Sequence, residues 1–134
     1  MIQELKILLV DDDPNICEIL STYLADRGYT VEKRQNGREA LEALRDTAFD
    51  LVISDGSMAE MDGFEFIRLA RNNYPDIAII LMTAYEGKFP LSEALKAGAD
   101  GYLTKPFRLQ KFSLIFEQAY WTALSRQDWW EKHA

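Results

Sequence analysis

Near its beginning the sequence reads LKILLVDDDP, residues 5–14, a short apolar run that ends in three aspartates and a proline. A nearly continuous apolar run of this length is typical of a strand that is covered on both faces. Pro14 favours the first position of a helix, and Asp13 suits the N-cap before it. The segment therefore predicts a buried strand that leads directly into a helix, with Asp11 and Asp12 at the junction.

The same strand–helix unit recurs along the chain. Five strand-like runs are found at Leu5–Val10, Thr30–Arg34, Asp50–Ser54, Ile77–Met82 and Gly101–Leu103. Between and after them, apolar residues recur every three to four positions, as on one face of a helix. Asn36 and Glu39 form a capping box before the second helix, Asp62-Gly63 opens the third, and Gly98 ends the short helix Ser92–Ala97. This alternation predicts an α/β fold, a doubly wound five-stranded parallel sheet with helices on both faces.

Composition excludes several classes of protein. The chain has 134 residues and a net charge of −7, from 15 basic and 22 acidic residues, so we expect no direct DNA binding. No apolar run approaches the ~20 residues of a membrane helix, so we expect no membrane partner. The single cysteine, Cys17, fits a reducing compartment, and we expect a cytoplasmic protein.

Polar residues follow four of the predicted strands. They are Asp11 and Asp12, Asp55, Thr83 and Lys105. The carboxyl ends of parallel strands share one edge of the sheet, where such folds bind ligands. Two carboxylates ~5 Å apart repel by roughly 3 kcal/mol at an effective dielectric constant of ~20, and Mg²⁺, which prefers oxygen ligands, relieves that repulsion. The set suits phosphoryl transfer to an aspartate.

At this point the sequence resembles the receiver domain of two-component response regulators. The resemblance covers about Lys6 to Ala123 and rests on four motifs, Leu8–Asp13, Asp50–Asp55 followed by Met61-Asp62-Gly63, Leu81–Ala84, and Gly98–Phe107. It implies the strand order 2-1-3-4-5. It also implies a receiver domain over residues 1–124, with residues 125–134 as an extension of the last helix or the start of a linker.

The resemblance implies a role for each residue at the strand ends. Asp55 accepts a phosphoryl group from a sensor histidine kinase or a phosphotransfer protein. Mg²⁺ is held by Asp11, Asp12, Asp55 and the backbone carbonyl of Ser57. Such a domain catalyses only its own phosphorylation and dephosphorylation, and is otherwise not an enzyme.

The resemblance also implies how the signal leaves the site. Thr83 and Lys105 bind the phosphoryl oxygens, and Thr83 and Tyr102 form the switch. The fourth helix, fifth strand and fifth helix then present a changed surface to an unknown downstream protein. The Lys105–Pro106 peptide bond is expected to be cis.

Several positions depart from the family pattern. Ala59 stands where the family usually has proline, and Gly56 where a larger residue is common. Ser57 and Tyr85 occupy positions that tune dephosphorylation in other members. Pro90 lies where the fourth helix often begins, so we expect that helix to start late.

Three other interpretations stay open on the sequence. Asp13 is either a third metal ligand or, as we expect, only a cap. The domain could be an interaction module that is never phosphorylated. It could also be a haloacid-dehalogenase-type phosphatase with Asp11 as nucleophile in Asp11-x-Asp13, although Asn15 and the lack of a later acidic motif argue against that.

Large aromatic residues lie late in the last predicted helix. They are Trp121, Trp129 and Trp130. Either they fold back on the domain, or they form a contact surface for a partner or for a second copy of the chain in a homodimer.

Overall fold

The computed structural model describes the backbone of residues 4–133 and the side chains of residues 4–127. Within that part of the chain, five parallel strands form one sheet in the order β2-β1-β3-β4-β5. The strands are β1 (Lys6–Val10), β2 (Thr30–Arg34), β3 (Leu51–Asp55), β4 (Ala78–Thr83) and β5 (Gly101–Thr104). The helices are α1 (Pro14–Ala25), α2 (Gly37–Asp46), α3 (Gly63–Asn73), α4 (Leu91–Ala97) and α5 (Leu109–His133). The predicted fold class and strand order are confirmed.

Three helices begin at a side-chain cap, two of them at the caps predicted from the sequence, Asp13 and Asn36. Each cap carries an oxygen that accepts a backbone N–H of the first turn, which would otherwise have no partner within the helix. The pairs are Asp13 with Asn15, Asn36 with Glu39, and Asp62 with Glu65, all at 2.9 Å. Helix α4 instead begins after Pro90 without a side-chain cap and ends at Gly98 with a φ of 119°, in the left-handed region.

The sheet is buried on both faces, which explains the nearly continuous apolar runs. Along β1, Leu8 and Val10 face the core shared with α2, α3 and α4, whereas Ile7 and Leu9 face the core shared with α1 and α5. Strand β2 lies at the edge and is only partly covered, in keeping with its polar sequence.

Helix α5 shows no break at the predicted domain boundary after Leu124. The helical backbone continues to His133, and the side chains of Arg126 and Gln127 donate hydrogen bonds to the backbone carbonyls of Ile77 and Asp76 in the loop before β4. Trp121 is 54% exposed, whereas the side chains of Trp129 and Trp130 lie outside the described residues. None of the helices in the described part of the chain combines the length and apolarity needed to span a membrane.

Candidate functional site

Three carboxylates meet at the carboxyl end of the sheet. Strands β1 and β3 are neighbours, so the residues that follow or end them, Asp11, Asp12 and Asp55, come together with carboxylate oxygens within 4.8 Å of one another. Asp11 and Asp55 are buried and Asp12 is exposed. Asp13 is not in this group: its side chain caps α1. The sequence therefore predicted the members of the cluster, and Asp13 serves as the expected cap.

Lys105 brings a positive charge into the same pocket. Its Nζ lies 2.8 Å from Oδ2 of Asp11 and 3.4 Å from Oδ1 of Asp55. The predicted cis peptide bond between Lys105 and Pro106 is present. Burial alone would lower the pKa of Lys105, but the hydrogen bond and charge of Asp11, with the charge of Asp55, raise that pKa above its ordinary value. Lys105 is thus held as a cation between two carboxylates.

The two buried carboxylates have different surroundings. Asp11 accepts a hydrogen bond on each oxygen, from the backbone N–H of Asp13 at 2.9 Å and from Lys105, and its side chain is fully covered. The side chain of Asp55 keeps 11% of its surface exposed. Burial and the negative charge of Asp11 raise the pKa of Asp55, against the opposing effects of Lys105 and the backbone N–H of Ser57. Asp55 is therefore the buried carboxylate that is less fully compensated and still accessible.

A glycine allows α3 to begin close to the pocket. A side chain at Gly63 would place its Cβ 2.5 Å from the carbonyl oxygen of Asp55 and 2.7 Å from the Cα of Gly56. The Gly63 N–H instead donates to the Gly56 carbonyl at 2.7 Å. This contact fixes the loop after Asp55 against the start of α3.

The two predicted switch residues lie on the neighbouring strands. Thr83 ends β4 with no exposed surface, and its Oγ1 accepts the backbone N–H of Tyr85 at 2.9 Å. Tyr102 lies on β5 and is half-buried, and its hydroxyl donates to the carbonyl of Phe89 at 2.6 Å. Both residues therefore contact the loop between β4 and α4, one at each end.

The pocket fits a divalent cation by its charge and its ligand chemistry. Among the described side chains, three carboxylates and one ammonium leave two net negative charges. The three side-chain ligand atoms of the cluster are carboxylate oxygens, which hard cations such as Mg²⁺ prefer. The exposed position of Asp12 leaves one side of the cluster open to solvent.

Two features of the structure were not predicted from the sequence. Phe89 is 1% exposed although the five residues before it, Ala84–Lys88, are all exposed. At the opposite end of the sheet, Asp100 forms ion pairs with Arg71 and Arg126. The signal for Phe89 was a large apolar residue in a polar loop beside Pro90. Residues 71, 100 and 126 have no such signal, because they are far apart in the sequence.

Comparison with known proteins agrees with this geometry. A family model described as "Response regulator receiver domain" matches residues 7–117. The transcriptional regulatory protein ZraR of Klebsiella oxytoca is 43% identical over 117 residues, which is 87% of this chain and 26% of that protein. The chain thus spans about a quarter of the length of the first curated relatives it matches.

Solved structures with the same fold include two receiver proteins. The signal receiver domain of an HD domain-containing protein from Pseudomonas fluorescens Pf-5 is 30% identical, with a TM-score of 0.85 over 92% of this chain and 99% of that one. The chemotaxis protein CheY4 of Vibrio cholerae is 34% identical, with a TM-score of 0.80 over 87% of this chain and 99% of that one.

Proposed function

The chain belongs to the receiver-domain family of response regulators, and from that membership and the pocket geometry we propose that Asp55 accepts a phosphoryl group. Receiver domains are signalling modules rather than classical enzymes. The observation that carries the proposal is a buried carboxylate, Asp55, which lies beside a second carboxylate and an ammonium and still reaches solvent. The donor is a phosphohistidine of a sensor kinase or a phosphotransfer protein.

The contacts favour Asp55 over Asp11 as the acceptor. Both oxygens of Asp11 accept hydrogen bonds, and its side chain has no exposed surface. A nucleophile needs room for the incoming phosphorus. Asp55 keeps part of its side chain exposed and Asp11 does not, which supports a receiver and argues against a phosphatase with Asp11 as nucleophile.

The transfer step needs no general base. An ionised oxygen of Asp55 forms the new O–P bond while the P–N bond of the phosphohistidine breaks, and its electron pair stays on the imidazole nitrogen. Lys105 supplies a positive charge to the transferring group, and the Thr83 hydroxyl supplies a hydrogen bond. The contribution of the protein is thus positioning and charge.

Mg²⁺ is the proposed metal, with Asp11, Asp12, Asp55 and the backbone carbonyl of Ser57 as its ligands. The two net negative charges of the pocket and its carboxylate oxygens support this choice. When bound, Mg²⁺ would neutralise charge on the phosphoryl oxygens and on the carboxylates around them. Asp13 is left out of the ligand set because it caps α1.

The output is a change in protein contacts. Phosphorylation at Asp55 would act through Thr83 and Tyr102 on the surface of α4, β5 and α5, which binds a downstream protein. Exposed apolar side chains on this surface, Leu91 and Leu95 on α4 and Leu114 and Trp121 on α5, support a contact site. The net charge of −7 on these 134 residues supports a protein partner rather than DNA.

The acceptor can be tested by intact-mass analysis. The protein is incubated with Mg²⁺ and acetyl phosphate, in wild-type form and as Asp55→Asn, with Asp13→Asn as the matched control. We expect one added phosphoryl group on the wild type and on the Asp13 variant, and none on Asp55→Asn.

Two outcomes would contradict the proposal. An adduct on Asp55→Asn would move the acceptor to another residue. No adduct on the wild type, with acetyl phosphate and then with phosphorylated histidine kinases, would favour an interaction module that is never phosphorylated.

A further inference from the structure

Phe89 packs its ring against the residue that follows the proposed acceptor. A Cβ at Gly56 would lie 2.9 Å from Cδ2 of the Phe89 ring, closer than real Cβ atoms pack, and 3.0 Å from its Cγ. The ring therefore occupies the space that a side chain at position 56 would need. A larger residue is common at this position in the family, so the contact depends on the glycine of this chain.

The ring is held in place by other contacts. It packs edge-to-face on Phe64 of α3, with ring centroids 5.0 Å apart and an interplanar angle of 80°. The backbone N–H of Phe89 donates to the Tyr85 carbonyl at 2.9 Å, and its carbonyl accepts the Tyr102 hydroxyl. One residue thus touches the loop after Asp55, the start of α3 and the side chain of Tyr102.

The loop around Phe89 is tied to both proposed switch residues. Its first part is held by the bond from the Tyr85 N–H to Thr83 Oγ1, and its last part by the bond from Tyr102 to Phe89. If Thr83 turns toward a phosphoryl group, it gives up the first bond. If Tyr102 turns inward, it gives up the second. The buried ring between these ties contacts Gly56, one residue from the acceptor.

We propose that Phe89 is a positioning residue that couples the state of Asp55 to the orientation of Tyr102 and to the start of α4. The inference rests on the proposed function. A shift of the backbone at Gly56 on phosphorylation moves the ring, because the ring has no free space against Gly56 and Phe64. The ring then carries its own carbonyl away from the Tyr102 hydroxyl. Phe89 does not touch the reacting atoms and is not a catalytic residue.

The test follows Tyr102 directly. Tyrosine is labelled with ¹⁹F, the Tyr102 signal is assigned with Tyr102→Phe, and its chemical shift is recorded before and after saturating acetyl phosphate with Mg²⁺. In Phe89→Leu we expect the phosphoryl adduct by mass, but less than about half of the wild-type change in the Tyr102 signal. The matched control is Phe66→Leu, which removes an equally buried ring in the same core. We expect it to keep the full Tyr102 response.

A second pair of variants approaches the contact from the glycine. Gly56→Ala pushes a methyl group into the ring and should also reduce the Tyr102 response, whereas Gly87→Ala, in the same loop as Phe89, adds a methyl group to open space. Gly56→Ala and Phe89→Leu disturb the same contact. The double variant should therefore lose no more of the Tyr102 response than the single variant with the larger effect.

The outcomes separate the two proposals. An adduct on Phe89→Leu and Gly56→Ala with an undiminished Tyr102 response would overturn the role of Phe89 and leave the acceptor intact. An equal loss in Phe66→Leu would show that the effect is general destabilisation, and would also overturn it. No adduct on the wild type would overturn the proposed function and the inference with it.

Discussion

Two charged clusters lie at opposite ends of the sheet, and their net charges have opposite signs. At the carboxyl end, three carboxylates share one described ammonium, that of Lys105. At the amino end, one carboxylate, Asp100, is paired with the guanidinium groups of Arg71 and Arg126, at 2.7 and 2.8 Å. The first cluster has an excess of negative charge, and the second an excess of positive charge.

Backbone groups compensate the second cluster more fully than the first, where Asp11 and Asp55 each accept one backbone N–H. The guanidinium of Arg71 donates to the carbonyls of Gly98, Pro75 and Ile77, and Arg126 donates to those of Pro75 and Ile77. Asp100 also accepts the N–H of Ile79. Buried charges are tolerated when hydrogen bonds surround them. The amino-end cluster is therefore an anchor that joins α3, β4 and α5 to the residue before β5, whereas the carboxyl-end cluster keeps an excess of negative charge.

Asp100→Ala should have the largest effect on stability. It removes the anion between two partly buried guanidinium groups, and we expect a loss of about 2–3 kcal/mol in the free energy of unfolding. Urea denaturation measures the change, with the exposed Asp76→Ala as control, which should stay within about 0.5 kcal/mol of wild type. Equal losses in the two variants would remove the claim that the Asp100 cluster is an anchor.

Mg²⁺ should stabilise the protein through the carboxyl-end cluster alone. At about ten times its dissociation constant, a cation that binds only the folded state adds about 1.4 kcal/mol. We expect this gain in thermal unfolding of the wild type and of Arg126→Ala, and its loss in Asp12→Asn. A full gain in Asp12→Asn would place the cation elsewhere.

Asp55→Asn should stabilise the metal-free protein by about 1 kcal/mol at neutral pH. The pKa of Asp55 is raised in the folded state, so its ionised form disfavours folding once the pH exceeds the ordinary value of 3.8. The gain should therefore shrink as the pH falls toward that value and vanish below it, where the carboxyl is protonated in both states. Unfolding curves of the two proteins across acid pH would show it, and a gain that grows on acidification would contradict the sign of the shift.

Arg126→Ala should have the smallest effect of the four, about 1 kcal/mol or less, because its side chain is 31% exposed and Arg71 still pairs with Asp100. The matched control is Arg108→Ala near the start of α5, an exposed arginine with no described ion pair. Hydrogen exchange of the amides in the last turns of α5 measures how firmly Arg126 holds this part of the helix, and protection should be lower in Arg126→Ala than in Arg108→Ala. Protection that is equal in both variants would show that Arg126 does not hold the helix.

Much of the fold followed from local patterns. Buried runs such as Leu5–Val10 and caps such as Asn36 are legible because strand and helix periodicity, and capping, depend on residues close in sequence. The cluster of Asp11, Asp12 and Asp55 followed as well, since parallel strands bring their carboxyl ends to one edge. Helix α4 was expected to start late because of Pro90. It begins at Leu91, directly after that proline, which provides no side-chain cap.

The sequence by itself determined the succession of strands and helices along the chain, because that depends on residue spacing within each segment. It also determined which residues lie at the carboxyl edge, because parallel strands bring their carboxyl ends to the same edge of the sheet. The tertiary structure decided which partner each charge and each ring takes. Lys105 binds Asp11 more closely than Asp55, Arg126 reaches Asp100, and Phe89 fills the space above Gly56. Such contacts join residues up to 94 positions apart. They depend on how whole elements pack and on which side chain fills each gap, and no local pattern encodes that.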